Sequence, residues 1–81
     1  MTLTQLTDVI SLAQFGSVSL AARQLFVAQP SMTTVIMELE KEIDRTLFIR
    51  NSRGMKLTEE GMKFLGYAKQ ILRQMEMLED R

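Results

Sequence analysis

SVSLAARQLFVAQPSMTTVIMELEKEI, residues Ser17 to Ile43, decides the fold: it reads as a short helix, a tight turn and a longer second helix. Ser17 can cap the first of these, because its hydroxyl can accept a backbone N–H that the first turn leaves unpaired. Ala21, Ala22 and Leu25 then supply a small apolar face that permits close helix contact. Pro30 fits near the start of the second helix, where a missing N–H costs nothing. Met32, Ile36, Leu39 and Ile43 follow at spacings of four, three and four, and so form the inward face. Gln29, Ser31, Thr33 and Thr34 fall elsewhere on the same first turns, as short or amide-bearing side chains able to hydrogen-bond base edges or phosphates. This is the outline of a helix-turn-helix, whose second helix enters a major groove with its first turns uncrowded.

Composition narrows the alternatives. Eighty-one residues, 46% of them hydrophobic, allow one small domain with one modest core. The chain has no cysteine and no histidine, so a disulfide framework, a thiol nucleophile and the commonest general base and metal ligand are all missing. Glu59 and Glu60 are adjacent on a helix, point in different directions and make no acid–base pair. No catalysis, no cofactor and no metal are therefore expected. There is no secretory apolar segment and no apolar run of about 18 residues, so a soluble, intracellular protein with no membrane partner is the default.

Formal charge is zero, which speaks against a generic DNA-coating protein, but its distribution is uneven. Residues 1–40 hold Arg23 against Asp8, Glu38 and Glu40, net two negative. Residues 41–58 hold Lys41, Arg45, Arg50, Arg53 and Lys56 against Glu42 and Asp44, net three positive, and the remainder is net one negative. Basic charge thus gathers just after the helix pair, where a phosphate backbone would be met.

Thr2-Leu-Thr-Gln5 has the form of a capping box, and Leu3, Leu6, Val9, Ile10 and Ala13 mark a scaffold helix running to about Phe15. Gly16 stops it and Ser17 starts the next, which runs from about Val18 to Leu25. Phe26-Val27-Ala28 makes the turn, with Phe26 or Val27 expected in the core. Beyond the second helix, Asp44-Arg45-Thr46 breaks the pattern, and Leu47–Arg50 and Met55–Thr58 read as strands around the turn formers Asn51-Ser-Arg-Gly54. Such a hairpin, carrying Ser52 and Arg53 in its loop and flanked by Arg50 and Lys56, is a positively charged wing for phosphates or a minor groove. Lys56 alone reads as an ordinary solvated charge. Thr58 caps the last helix, with Glu59 and Glu60 at its positive end. Residues 59–81 would span on the order of 35 Å, longer than so small a domain needs. Phe64, Ala68, Ile71, Met75 and Leu78 recur at heptad spacing, with Leu65 and Leu72 widening the stripe, and predict a seam with a partner helix.

Ser17 through Ala21-Ala22 and Leu25, Ala28-Gln29-Pro30-Ser31, Leu39-Glu40, Leu47-Phe48-Ile49-Arg50, then Leu57-Thr58-Glu59 and Gly61, resemble the N-terminal DNA-binding domain of LysR-type transcriptional regulators across nearly the whole chain. The resemblance implies a mainly α fold, a winged helix-turn-helix with a three-helix core, a β-hairpin wing and a long C-terminal linker helix. Residues 1–58 would be the winged helix-turn-helix DNA-binding domain and 59–81 the linker and dimerisation helix. It further implies a homodimer on double-stranded DNA in the bacterial cytoplasm, with tetramers open to a full-length form. A small-molecule effector would bind a C-terminal domain absent from this chain, which is then either a fragment or an unusually short relative. The candidate contacts are Gln29, Pro30, Ser31, Thr33 and Thr34 on the recognition helix and Arg50, Ser52 and Arg53 on the wing.

Three positions depart from the family pattern. Ala28 stands where a capping serine is usual, leaving Gln29 as a poorer cap. Thr33 and Thr34 replace a serine and an often basic neighbour, so no long cation reaches guanine from position 34. Asp44 replaces the glycine that ends the recognition helix, and tolerates the left-handed conformation less readily. A different function class, a protein-interaction module using wing and long helix, stays open because the net charge is neutral; salt-sensitive duplex binding discriminates the two.

Overall fold

Thr2 opens the first helix with both halves of a capping box: its hydroxyl accepts the Gln5 N–H at 3.1 Å, and the Gln5 side chain accepts the Thr2 N–H at 2.8 Å. The computed structural model describes residues 1–80. Helix α1 (Leu3–Phe15) ends on Gly16 at φ +67°, and one residue later the Ser17 hydroxyl accepts the Leu20 N–H at 3.3 Å to start α2 (Val18–Gln24). Helix α3 (Gln29–Ile43) follows, then strands β1 (Phe48–Asn51) and β2 (Gly54–Leu57), and finally α4 (Glu59–Glu79).

On α2 and α3 the core is where the sequence periodicity puts it; on α1 it is shifted, because Leu12, outside the expected stripe, is buried at 1% exposure while Leu3, inside it, is exposed. Val9 and Leu12 of α1, Ala21 and Ala22 of α2, and Met32, Ile36 and Leu39 of α3 are buried together with Leu47 and Phe48, and Ile43 and Leu25 pack half-buried against them. The two alanines let α2 approach closely, and each large aliphatic residue sealed there contributes roughly 1.5–3 kcal/mol. The architecture is a three-helix core with a two-stranded antiparallel wing and a long last helix, a winged helix-turn-helix.

Neither Phe26 nor Val27 enters the core. Phe26 is 95% exposed and Val27 is exposed, because α2 closes with a paired turn: the Phe26 N–H donates to Arg23 O at 3.2 Å and the Val27 N–H to Ala22 O at 2.9 Å. This closure holds Phe26 at φ +59°, so the chain reverses one residue earlier than a core position would need, and Leu25 takes the inward place. Gln29 does not act as a cap either. Ala28 occupies the cap position with no side-chain hydrogen bond, and Gln29 is already helical. Asp44, by contrast, keeps the turn that glycine would make: it sits at φ +54° while its N–H donates to Lys41 O and that of Arg45 to Glu40 O.

The hairpin is tighter than its sequence suggests. Asn51 pairs with Gly54 and Phe48 with Leu57, so only Ser52 and Arg53 form the loop, and the Asn51 side chain accepts the Arg53 N–H at 2.8 Å. Leu47 is a core residue just ahead of the strand, and Thr58 is the cap of α4, accepting the Gly61 N–H at 2.9 Å and donating to Thr46 O at 2.6 Å. A Cβ at Gly61 would collide with the Leu47 carbonyl, which explains a glycine three residues after the cap.

Candidate nucleic-acid interface

The polar first turns of α3 stand clear of the core. Gln29, Pro30, Ser31 and Thr34 are exposed, and Thr33 is half-buried. With alanine as cap and proline at the second helical position, the N–H groups of Gln29 and Ser31 have no protein acceptor among the described residues. Unpaired N–H groups at the positive end of a 15-residue helix are suited to a phosphate oxygen. The residue that departs from the family pattern therefore leaves a donor where a serine would have filled it.

The wing is held against α3 by a side chain that periodicity does not reveal. One carboxylate oxygen of Glu40 accepts the Leu47 N–H at 2.7 Å and the Phe48 N–H at 3.1 Å, joining the recognition helix to the entry of β1. A second tie runs from β2, where the Met55 N–H donates to Gly16 O at 2.9 Å. Gly54 permits it, since it takes φ +131° and a Cβ there would strike the Gly16 carbonyl. These ties bring Thr33, Met37 and Glu40 of α3 and Arg50 and Met55 of the wing around one narrow crevice. Arg50 therefore belongs at the junction of helix and wing, whereas Ser52 and Arg53 occupy the loop; all three are exposed. Among the described residues no carboxylate pairs with Arg50 or Arg53, while Arg45 lies 3.8 Å from Glu60.

The heptad stripe on α4 divides. Ala68 is 1% exposed within its own chain and Phe64 packs half-buried on its own core, so the chain itself accounts for both. Met75 is half-buried, and Ile71 and Leu78 are exposed. Tyr67, four residues before Ile71 and so on the same flank, is exposed too and was not singled out by the stripe. Of the residues that sequence reasoning missed, Tyr67 could have been found by widening the stripe to aromatic residues. Glu40 carried no signal beyond its place in the Leu39-Glu40 pair, because its partners are backbone groups seven and eight residues on.

Residues 3–62 match the family model described as bacterial regulatory helix-turn-helix protein, lysR family. The HTH-type transcriptional regulator CzcR of Bacillus thuringiensis subsp. konkukian is 45% identical over 78 residues, 96% of this chain and 27% of that protein. The HTH-type transcriptional regulator ClcR of Pseudomonas putida is 39% identical over 72 residues, 89% of this chain and 24% of the relative. The chain thus spans about a quarter of the length of these curated relatives. Among solved structures, the CbnR DNA-binding domain in complex with DNA superposes with a TM-score of 0.95 at 36% identity, covering 100% of this chain and 93% of that one. The BenM DNA-binding domain with the benA site 1 DNA gives 0.92 at 33% identity, covering 96% and 91%. The chain belongs to the LysR family of bacterial regulatory helix-turn-helix proteins.

Proposed function

We propose that this chain reads double-stranded DNA by sequence, as the DNA-binding part of a dimeric bacterial transcriptional regulator. The observation that carries the proposal is the juxtaposition of an exposed, polar and uncapped start of α3 with two exposed arginines that have no carboxylate partner among the described residues. α3 enters the major groove, where Gln29, Ser31, Thr33 and Thr34 meet base edges and Pro30 sets the helix start; Arg50, Ser52 and Arg53 hold the backbone or the minor groove. The DNA complexes of the CbnR and BenM domains support the same use of this fold here.

Residues 1–58 carry the contact and 59–81 the pairing. The seam lies on the flank of α4 that bears Tyr67, Ile71 and Leu78 beside Phe64 and Met75, because exposed apolar residues continue where the chain's own core has ended. A small-molecule effector and any tetramer belong to parts of a regulator outside this chain, and the site of action is the bacterial cytoplasm. No described helix is long and apolar enough to cross a membrane.

Selection of duplexes from a random pool, followed by competition against nonspecific duplex at two salt concentrations, tests the reading. A selected operator should bind with salt-sensitive affinity. Gln29→Ala should flatten the preference at one base pair per half-site, a loss of roughly 1–3 kcal/mol of discrimination, and Arg53→Ala should lower the salt slope by about one unit per lost contact. Ile71→Glu with Met75→Glu should sediment as a monomer with its helix content intact. Binding that ignores salt and sequence would transfer the surface to a protein partner.

A further inference from the structure

A second surface lies away from the recognition turns. An open groove runs between the first half of α1 and the α2–α3 turn, lined by Leu3, Thr4, Thr7, Asp8, Leu25 and Val27, with no residue of α3 or the wing in it. Asp8 is 6% exposed, yet its carboxylate receives no hydrogen bond and no ion pair among the described residues. The Thr7 hydroxyl beside it donates to its own helix, to Leu3 O at 2.9 Å. The carboxylate is not sealed off: of the side-chain polar atoms that are both closed to solvent and unpartnered, Ser11 Oγ stands alone among the described residues. Asp8 is thus a nearly buried anion whose remaining access is through the groove. An uncompensated carboxylate in such a place is destabilising, and burial raises its pKa.

We infer that this groove receives an arginine or lysine of a partner protein, its ammonium or guanidinium paired with Asp8 and its aliphatic stem laid along Leu3, Leu25 and Val27. The charge fixes the class of occupant. A phosphate is repelled by the carboxylate and meets no cation in the lining. A bare metal ion finds one acidic ligand and apolar walls, and no group of three or more acidic residues that could hold a metal occurs among the described residues. A long basic side chain satisfies both the anion and the hydrocarbon, because it carries donors at the end of an apolar stem. Phe26, between the two turn residues that line the groove, stands almost wholly in water in a left-handed conformation that a bulky side chain rarely adopts. An exposed ring beside the pocket gives a partner segment an apolar or stacking contact next to its anchor.

The inference goes beyond DNA recognition and does not depend on it. The probe is the capped tripeptide acetyl-Leu-Arg-Leu-amide, titrated into isotope-labelled 81-residue chain by nuclear magnetic resonance, against the same peptide with uncharged citrulline for arginine. The arginine peptide should saturably shift the amides of Leu3, Asp8 and Val27 and the Asp8 side-chain carboxyl. Citrulline in the peptide, or Asp8→Asn in the protein, should each weaken binding about tenfold, the loss expected for one charge-assisted pair. Phe26→Gly should weaken it less, and Gln29→Ala not at all. Equal affinity for the two peptides, absence of saturable shifts, or shifts centred on Gln29–Thr34 and the wing would each overturn the inference, and the citrulline comparison does so even if Asp8→Asn fails to fold. Shifts at the groove that grow with protein concentration alone would assign it to a second copy of this chain. Loss of operator binding on Asp8→Asn would assign it to DNA.

Discussion

Two corners of this molecule carry the same backbone device under opposite conditions. At the corner between α1 and α2, Gly16 takes the left-handed conformation, Ser17 caps the next helix, and the wing closes over the turn through Met55. At the corner between α2 and α3, Phe26 takes that conformation with a full side chain, Ala28 provides no cap, and no wing residue lines the groove beside the turn. The first corner is built from residues that suit it. The second is built from residues that do not, and it is the corner that meets the recognition helix and the Asp8 groove. There the left-handed residue is held by the Phe26 and Val27 N–H groups on Arg23 O and Ala22 O, and a strained position kept in this way is what motivates the proposal of an outside partner.

The comparison breaks most sharply at Gly54. Alanine there would have to hold φ +131° and place its Cβ in the Gly16 carbonyl, so the wing must leave the first corner or the corner must open. Gly54→Ala should destabilise by about 3 kcal/mol or more in urea unfolding, one of the few mechanisms able to produce so large a change. Glu40→Ala comes next. It removes the shared acceptor of two N–H groups in a half-buried place and should cost about 2 kcal/mol, with Glu40→Gln recovering part because one oxygen remains. Because the lost ties join the wing to α3, Glu40→Ala should also weaken operator binding beyond what its stability loss explains at saturating folded protein; unchanged binding would mean that the wing finds its place without Glu40.

How much of this could be read from the chain follows the range of each interaction. The capping box at Thr2, the Gly16 stop, the Ser17 and Thr58 caps and the place of Pro30 are decided within four residues, and each was legible. So was the core face of α3, which periodicity fixes. The expectation for Phe26 failed because hydrophobicity argued for burial while the closing turn of α2, set by backbone geometry, argued against it. The stripe on α4 was read as one seam because 4-3 spacing is the same for a helix packed on its own core and on a partner; only the position of α1 separates Ala68 from Ile71. Glu40 and Gly54 act on backbone groups that folding alone brings near, and no local pattern announces them.

The second corner can be sharpened in the opposite direction, toward stability. Phe26→Gly removes the left-handed penalty at a position with almost no buried side chain to lose, and should stabilise the chain by about 1 kcal/mol. Ala28→Ser restores a cap and should add about 1 kcal/mol by the same thermal measurement. Both gains have the same functional signature if the corner is held open for partners. Phe26→Gly should lower affinity for the arginine peptide, and Ala28→Ser should weaken duplex binding by occupying an N–H of the first turn. Two stabilised variants with both affinities intact would mean that the poor chemistry of this corner serves neither partner.

The smallest effect is a matter of pH. Burial raises the Asp8 carboxyl above its ordinary value of 3.8, so the native chain holds that proton more tightly than the unfolded chain does. The stabilisation that protonation brings is therefore complete below the unfolded value and is lost as pH rises through the raised native one. The other residues lining the groove, Leu3, Thr4, Thr7, Leu25 and Val27, have no side chain that titrates in this range, so the effect can be assigned to one group. Asp8→Asn cannot ionise and keeps that stabilisation at every pH. Melting temperatures of variant and wild type should therefore nearly coincide at about pH 3 and separate toward neutrality, the variant being the more stable. A separation that is constant from acid to neutral would mean that the carboxylate finds a partner in solution, and the corner between α2 and α3 would then be as settled as the one beneath the wing.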